Sequence, residues 1–214
     1  TPTIPDFHNL RWRFNQFEQA LATAPAERLA VAAELIDAFL AQERLVTTYD
    51  ELVRNPDVPD RLMHHDTKIN NVLLDATTNS GLCVCDLDTL MPGKVISDLG
   101  DMVRTFVSPV SEETQDFDAI TVRTPYYEAL TAGYLSEMKH VLTPAERAHI
   151  FYAGPFLVYM QGLRFLADYL QEDRYYPIRY PLHNYHRALT QARLLTALFE
   201  KEEQLRAIIE QALR

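Results

Sequence analysis

Apolar residues recur at intervals of three and four along most of the chain, which predicts a largely helical protein. In the first such segment, residues 11–22, the apolar positions include Trp12, Phe14, Phe17 and Leu21. Capping residues set several further boundaries. The other predicted helices cover residues 25–40, a short stretch from Thr47 or Thr48 through Leu52, "SDLGDMVRTFV" with a capping serine or aspartate, residues 125–139, a long helix from the capping box "TPAE" to about Leu170, and residues from about Tyr185 to the end.

Three short runs in the middle of the chain predict strands. They cover 62–64, 72–75 and 82–86, and "ATTNSG" between the last two has the composition of a hairpin turn. The predicted fold is therefore α+β, mainly helical, with a small β-hairpin insert.

Composition and charge limit the kinds of molecule that the protein is expected to bind. The net charge is -10, and the sequence contains no block of Lys and Arg, which argues against nucleic acid or an anionic membrane as a partner. There is no signal peptide and no apolar run of membrane-spanning length. The two cysteines, Cys83 and Cys85, are too close for an easy disulfide and are expected to be reduced packing residues. These features predict a cytoplasmic protein.

The stretch "HHDTKINNVLLD", residues 64–75, places several polar side chains directly before an apolar segment. Asp66 and Asn71 are five positions apart, and Asp86 ends the next apolar strand, "LCVCD". Phosphoryl transfer needs a carboxylate to orient the attacking hydroxyl and hard oxygen ligands for Mg²⁺. The alternative interpretation is an ordinary polar turn beside a strand end.

The spacing His64-x-Asp66-x-Lys68-x-x-Asn71 resembles the catalytic loop of the protein-kinase-like fold. It is closest to the aminoglycoside phosphotransferase-like branch. Within that branch, "DTKINNVLLD", "CDLDTLMPG", "SDLGDMVR" and "QGLRFLADYLQEDRYY" resemble the N-acetylhexosamine 1-kinases, over most of the chain. The resemblance implies a kinase-like C-terminal lobe that uses ATP as co-substrate and Mg²⁺ as cofactor.

The resemblance also implies roles for the loop residues. Asp66 would be the catalytic base or hydroxyl-orienting group, and Asn71 and Asp86 would hold Mg²⁺. Lys68 would face the transferred phosphate, although a solvated lysine is nearly as good an interpretation. The residues expected to support the loop are His64, which would brace it by hydrogen bonds, and Asp98 or Asp101, which would tie its backbone from behind. His65 has no assigned role and is expected to be exposed.

Three residues outside the loop are candidates for substrate binding. Asp88 would contact metal or sugar, or merely cap a turn. Arg164 and Tyr175 match positions that hold the sugar in the family. Gln161, Arg164 and Asp168 share one face of a predicted helix, and a solvent-facing stripe is the alternative.

The nucleotide-binding half of a kinase is not evident in this sequence. None of the six glycines forms G-x-G-x-x-G, and residues 1–63 have the pattern of helices. Residues 1–214 are thus expected to be a C-terminal lobe without its N-terminal nucleotide-binding lobe, and to be inactive alone. The face left exposed, near residues 1–10 and 72–86, is expected to allow the chain to form a dimer.

These observations predict an ATP-dependent kinase of a sugar hydroxyl, with the anomeric hydroxyl of an N-acetylhexosamine as the favoured acceptor. The alternatives are a kinase of another small alcohol, such as an aminoglycoside or choline, and a non-catalytic binding module that retains the lobe.

Overall fold

The computed structural model describes residues 2–214, and it confirms a mainly helical α+β fold. The helices and strands follow one another in the order α1 Leu10–Thr23, α2 Ala26–Leu40, α3 Arg44–Arg54, β1 Arg61–Met63, β2 Val72–Leu74, β3 Gly81–Val84, β4 Met91–Gly93, α4 Ile96–Phe106, α5 Thr124–Met138, α6 Pro144–Ala148, α7 Ile150–Leu170, α8 His183–Glu200 and α9 Glu202–Leu213.

Helix α7 is the centre of the hydrophobic core. It is buried along almost its whole length and packs against α8, α4 and α1. Gly100 in α4 permits a close approach to α7, because a Cβ atom there would collide with the Ala153 carbonyl of α7. The helix also passes through Pro155, which cannot donate the usual backbone hydrogen bond. This packing fixes α4, on which the polar loop rests.

The four strands form two separate antiparallel pairs. In one pair β1 lies beside β4, with Met63 opposite Met91. In the other, β2 lies beside β3 as a hairpin, with Val72 opposite Val84 and an irregularity in register between Leu73 and Leu74. Strand β4 was not predicted from the sequence, because "MPG" contains two residues that are usually absent from strands. Its pairing with β1 brings residues 85–90 next to the loop that follows β1.

Some predicted helix starts are wrong by several residues. Helix α3 already begins at Arg44, so neither Thr47 nor Thr48 caps it, and the Thr48 hydroxyl instead donates to the Arg44 carbonyl within the helix. Ser97 and Asp98 likewise lie inside α4 and do not cap it. Asp98 is instead used by the polar loop, as described below.

Two predicted long helices are each divided. The capping box of Thr143 and Glu146 is present, but it opens only the short helix α6, and α7 begins separately at Ile150. The last predicted helix is interrupted at Lys201, between α8 and α9. None of the helices described is long and apolar enough to cross a bilayer.

The outer surface of the β2–β3 hairpin is apolar and exposed. Leu73, Leu74, Leu82 and Val84, called here the hairpin face, are 52%, 51%, 65% and 50% exposed. Cys83 on the same hairpin is exposed as well, so its predicted role as a packing residue is wrong. Cys85 is half-buried, and its thiol donates to the Asn71 carbonyl at 3.4 Å.

Candidate active site

Asp66, Lys68 and Asn71 form a hydrogen-bonded cluster in the loop after β1. Asn71 Nδ2 donates to the Asp66 main-chain carbonyl at 2.8 Å and to Asp66 Oδ2 at 2.9 Å. Lys68 Nζ donates to the same Oδ2 at 2.7 Å. Because both donors bind Oδ2, Oδ1 of Asp66 is the oxygen left to accept a hydrogen bond from a ligand hydroxyl. The amide oxygen of Asn71 is likewise left for a cation.

The pKa of Lys68 is raised by its surroundings. Partial burial acts to lower it, but the hydrogen bond and the negative charge of Asp66 outweigh this effect, with smaller contributions from Asp86 and Asp101. Lys68 is therefore a fixed positive charge next to Asp66.

Asp98 holds the loop from behind. Its carboxylate accepts hydrogen bonds from the backbone N–H groups of His64 at 2.9 Å and His65 at 2.7 Å. Its main-chain carbonyl accepts from the Thr67 hydroxyl at 2.7 Å. Because α4 is fixed by its contact with α7, these bonds anchor the loop to the core.

Asp101, the other candidate for this supporting role, does not bond to the loop backbone. Its Oδ1 accepts from Arg104 Nε at 3.0 Å and lies 2.9 Å from Arg104 Nη2. Burial raises the pKa of Asp101, even though Arg104 acts to lower it. Its Oδ2 is buried and has no hydrogen-bond partner among the residues described.

His64 joins the loop to the segment after β3. Its Nδ1 accepts from the Asp66 N–H at 3.3 Å, so its Nε2 carries the proton and donates to the Cys85 carbonyl at 3.0 Å. The Thr89 hydroxyl donates to the His64 carbonyl at 2.6 Å, which adds a second link between the two segments. These bonds connect the loop to the segment after β3, and the bracing role of His64 stays a prediction.

Two non-glycine residues at the site have left-handed backbone conformations, His65 at φ 66° and Asp86 at φ 65°. Such conformations are uncommon outside glycine and concentrate at functional sites. His65 is buried, so its predicted exposure is wrong. Its ring lies against Gly93, where a Cβ atom would collide with it.

Asp86 and Asp88 form a pair of neighbouring carboxyl groups on the open side of the loop. A hydrogen bond with Asp88, and its charge, raise the pKa of Asp86, while the same bond lowers the pKa of Asp88. Two carboxyl groups close enough to share a proton form a place where a cation is favoured.

The oxygen donors of Asn71, Asp86 and Asp88 are the hard ligands that Mg²⁺ prefers. In residues 2–214 there is no group of three or more His, Cys, Asp or Glu side chains arranged to hold a metal ion.

Three cavities lie near the loop. The largest, of about 430 Å³, is called here the Lys68 cavity; its wall includes Lys68, Arg104, Glu112, Thr190, Gln191 and Leu194. The charges on its wall are paired, since Lys68 binds Asp66 and Arg104 lies 2.5 Å from Glu112. It adjoins the loop at Lys68, Ile69 and Asn70, while another cavity, of about 350 Å³, reaches the loop at His65.

Arg164 and Tyr175 are brought together in the third cavity, of about 280 Å³, called here the Arg164 cavity. Its wall also includes Trp12, Arg13, Asp168 and Tyr176, and none of residues 64–71. The nearest connection to the loop is through Phe7, whose ring lies 6.0 Å from the Arg164 guanidinium and 6.2 Å from the His65 ring.

The predicted face of Gln161, Arg164 and Asp168 is not a solvent-facing stripe. Arg164 Nη1 donates to Gln161 Oε1 at 2.9 Å, and Gln161 Nε2 donates to the Tyr176 hydroxyl at 3.3 Å. Asp168 is buried and accepts hydrogen bonds from the backbone N–H groups of Tyr175 and Tyr176. The stripe therefore fixes the loop that carries both tyrosines.

Several residues at these sites were not singled out in the sequence. Thr67 and Thr89 bind the loop through hydroxyl groups, and only their position within the "DTK" and "DLDT" motifs pointed to them. Arg13 was not considered, and Trp12 was treated only as an apolar position of a helix. No local sequence signal distinguishes either of them as a cavity residue.

The site combines a carboxylate with a neighbouring lysine, an asparagine and two further carboxylates, on a scaffold that is a kinase-like lobe. The model of the phosphotransferase enzyme family matches residues 1–150, which include the whole of this loop and the helix that anchors it. The chain therefore belongs to the phosphotransferase enzyme family.

Proposed function

We propose that the protein transfers the γ-phosphoryl group of ATP to a hydroxyl group of a sugar, with the anomeric hydroxyl of an N-acetylhexosamine as the favoured acceptor. The observation that carries the proposal is the Asp66 cluster, in which two donors bind one carboxylate oxygen and the other is left for the acceptor. The choice of a sugar as acceptor rests on the resemblance of "DTKINNVLLD" and of the segments around Arg164 and Tyr175 to the N-acetylhexosamine 1-kinases.

In this proposal Asp66 orients the attacking hydroxyl and takes its proton as the new O–P bond forms and the bond to the ADP oxygen breaks. Lys68 stabilises negative charge on the transferred group while holding Asp66 in place. Phosphoryl transfer depends mostly on such positioning and charge stabilisation, so the anchoring of the loop by Asp98 and His64 is part of the catalytic apparatus.

Asn71 and Asp86 would hold Mg²⁺, with Asp88 close enough to assist. When bound, the ion neutralises charge on the nucleotide phosphates and on the group being transferred. The protein's own contribution is the placement of these side chains, with Asp86 held in a left-handed backbone conformation directly after β3.

Arg164 and Tyr175 are proposed to bind the acceptor sugar. The Phe7 ring, 6.0 Å from the Arg164 guanidinium and 6.2 Å from the His65 ring, connects their cavity to the loop. The cytoplasm is the proposed place of action, and self-association through the hairpin face is proposed for the chain itself.

The test is a coupled ADP-release assay of the full-length protein with N-acetylglucosamine, N-acetylgalactosamine, an aminoglycoside and choline, each with and without Mg²⁺. The expected result is Mg²⁺-dependent ADP release with the N-acetylhexosamines, followed by detection of the sugar 1-phosphate. ADP release with choline or the aminoglycoside alone would overturn the choice of acceptor. No acceptor-dependent release, in a protein that binds ATP, would favour a binding module.

A further inference from the structure

The Arg164 cavity has two guanidinium groups with no carboxylate partner. Arg13 Nη1 donates to Gln16 Oε1 at 3.0 Å and Nη2 to the Phe7 carbonyl at 3.3 Å, while its Nε is buried without a partner. Arg164 donates to Gln161. In residues 2–214 neither arginine takes part in an ion pair, although the protein has a net charge of -10.

The two arginines are close enough to affect each other's ionisation. Burial and, to a smaller extent, the positive charge of Arg164 together lower the pKa of Arg13 to about 10. Holding two like charges together at a partly buried position is unfavourable unless a ligand supplies acceptor atoms. The pair therefore has unused capacity to donate hydrogen bonds into the cavity.

The carboxylate on the wall of this cavity, that of Asp168, is already occupied. It accepts from the Tyr175 N–H at 2.8 Å, the Tyr176 N–H at 2.9 Å and Asn184 Nδ2 at 3.0 Å. An ammonium group that entered the cavity would meet two guanidiniums and no free carboxylate on the wall that the structure describes. The electrostatics of the cavity therefore oppose a cationic ligand.

Aromatic rings at the rim suit the apolar face of a sugar ring. Trp12 is 38% exposed and Tyr175 is 74% exposed. A quaternary ammonium ligand would require free aromatic faces around it, but the Arg13 guanidinium already lies 4.5 Å from the Trp12 ring centroid. The rim therefore offers a cation no complete aromatic cage, while the exposed Tyr175 ring can stack on a neutral sugar ring.

We propose that the Arg164 cavity selects acceptors that present hydroxyl or amide carbonyl oxygens to Arg13 and Arg164, and that it rejects acceptors with an ammonium group at that position. This inference rests on the proposed function, since it takes Arg164 and Tyr175 to be acceptor-binding residues. It adds Arg13 as a specificity-determining residue and Trp12 as the residue that contacts the sugar face.

The test uses Trp12 as a probe, because it is the single tryptophan of this chain. Its emission is titrated in the 214-residue chain with N-acetylglucosamine and with glucosamine at about pH 6, where the amino group is protonated. The two sugars share one ring and differ in an acetamide against an ammonium group. The expected result is that N-acetylglucosamine binds at least about tenfold more tightly, as loss of charge-assisted hydrogen bonds implies.

Variants at Arg13 assign the preference to this residue. Arg13→Gln should weaken binding of N-acetylglucosamine and reduce the preference to roughly threefold or less, because one positive charge is removed. Arg13→Lys should keep the rejection of glucosamine, since the charge remains, while binding N-acetylglucosamine less tightly. Arg11→Gln is the matched control: it removes an arginine from the same helix, one that pairs with Asp50, and it should leave the preference unchanged.

The outcomes separate the inference from the proposed function. Emission that responds to N-acetylglucosamine, in a protein that releases no ADP with it, would leave the cavity assignment standing and overturn the proposed activity. Equal binding of the two sugars, or an unchanged preference in Arg13→Gln, would overturn the inference even if the N-acetylhexosamine is phosphorylated. No emission response to either sugar would overturn it as well.

Discussion

Lys68 and Asp66 are joined by a salt bridge in which Lys68 Nζ lies 2.7 Å from Asp66 Oδ2. The lysine follows the aspartate by two positions, so the bridge depends on the shape of the loop, which Asp98 fixes through the His64 and His65 N–H groups. The Asp66 carboxylate, which we propose as the general base, therefore has one oxygen engaged and one available. Because the carboxylate is already held in place, it loses less conformational entropy when an acceptor binds.

Replacing Asp66 by Asn should remove most of the activity of the full-length protein. Loss of a general base typically lowers turnover by about 10²- to 10⁴-fold, while the KM for the acceptor should change much less. The measurement is steady-state ADP release with saturating ATP and Mg²⁺. Turnover close to that of the unmodified protein would show that Asp66 is not the group that handles the hydroxyl proton.

Replacing Asp86 by Ala should abolish Mg²⁺-dependent turnover, because a carboxylate proposed to hold Mg²⁺ is lost. Asn71→Ala should have a milder effect, and excess Mg²⁺ should partly restore its activity. Activity is measured as a function of Mg²⁺ concentration for both variants. Asp75→Ala is the control. The Asp75 side chain accepts hydrogen bonds from Thr77 and Thr78 in the hairpin turn, so the Mg²⁺ dependence of this variant's activity should be unchanged.

Replacing Arg164 by Ala should raise the KM for the sugar by about tenfold, as expected for loss of a charged hydrogen-bond donor. The KM for ATP should change much less, because the Arg164 cavity includes none of the residues proposed to hold the metal. Both constants are measured in the same preparation, together with the melting temperature. Equal increases in both constants, accompanied by a lower melting temperature, would indicate that Arg164 only supports the fold through Gln161.

The ion pair of Arg61 and Glu146 should make a pH-dependent contribution to stability. The Glu146 side chain is fully buried and accepts from Arg61 Nε at 2.6 Å, from Arg61 Nη2 at 2.7 Å and from the Thr143 N–H at 2.8 Å. Burial acts to raise the pKa of Glu146, but the bonds from Arg61 and Thr143 outweigh it, so the pKa is lower than its ordinary value of 4.5. The stabilisation is therefore complete above about pH 5 and is lost as the pH falls through the lowered value.

Glu146→Gln should accordingly reduce the free energy of unfolding by about 2–3 kcal/mol at neutral pH, because Arg61 loses its charged partner. The difference from the unmodified chain should shrink as the pH falls below about 4. Thermal unfolding at a series of pH values measures both effects. Glu128→Gln, at an exposed position of α5, serves as the control and should be nearly neutral at every pH.

The hydrogen-bonded cluster could be predicted from the sequence because the loop is local: Asp66, Lys68 and Asn71 lie within six positions. Its catalytic role stays a prediction. The sequence predicted helix boundaries less well, since Ser97 and Asp98 have the composition of a cap, and only the tertiary contact with His64 reveals what Asp98 binds. Arg13 of α1 and Arg164 of α7 line the same cavity, and no pattern within either helix predicts that they are close. Sequence spacing predicts which residues are close within a loop. It does not predict which residues share a cavity wall, because that depends on how helices distant in sequence pack together.

The hairpin face should make the isolated 214-residue chain self-associate. Four large apolar side chains, Leu73, Leu74, Leu82 and Val84, are each at least half exposed on one short hairpin. Exposed apolar side chains are stabilised when a second surface excludes water from them. A second copy of the chain presents the same face, so a symmetric contact that buries both is the simplest arrangement.

Sedimentation velocity over a range of protein concentrations should show a dimer that dissociates on dilution, and Leu82→Lys should remain monomeric over the same range. Val31→Lys is the matched control: Val31 is 52% exposed on α2, away from the hairpin, and this substitution should leave the dimer intact. A monomer at all concentrations, or equal effects of the two lysine substitutions, would show that the hairpin face does not mediate association.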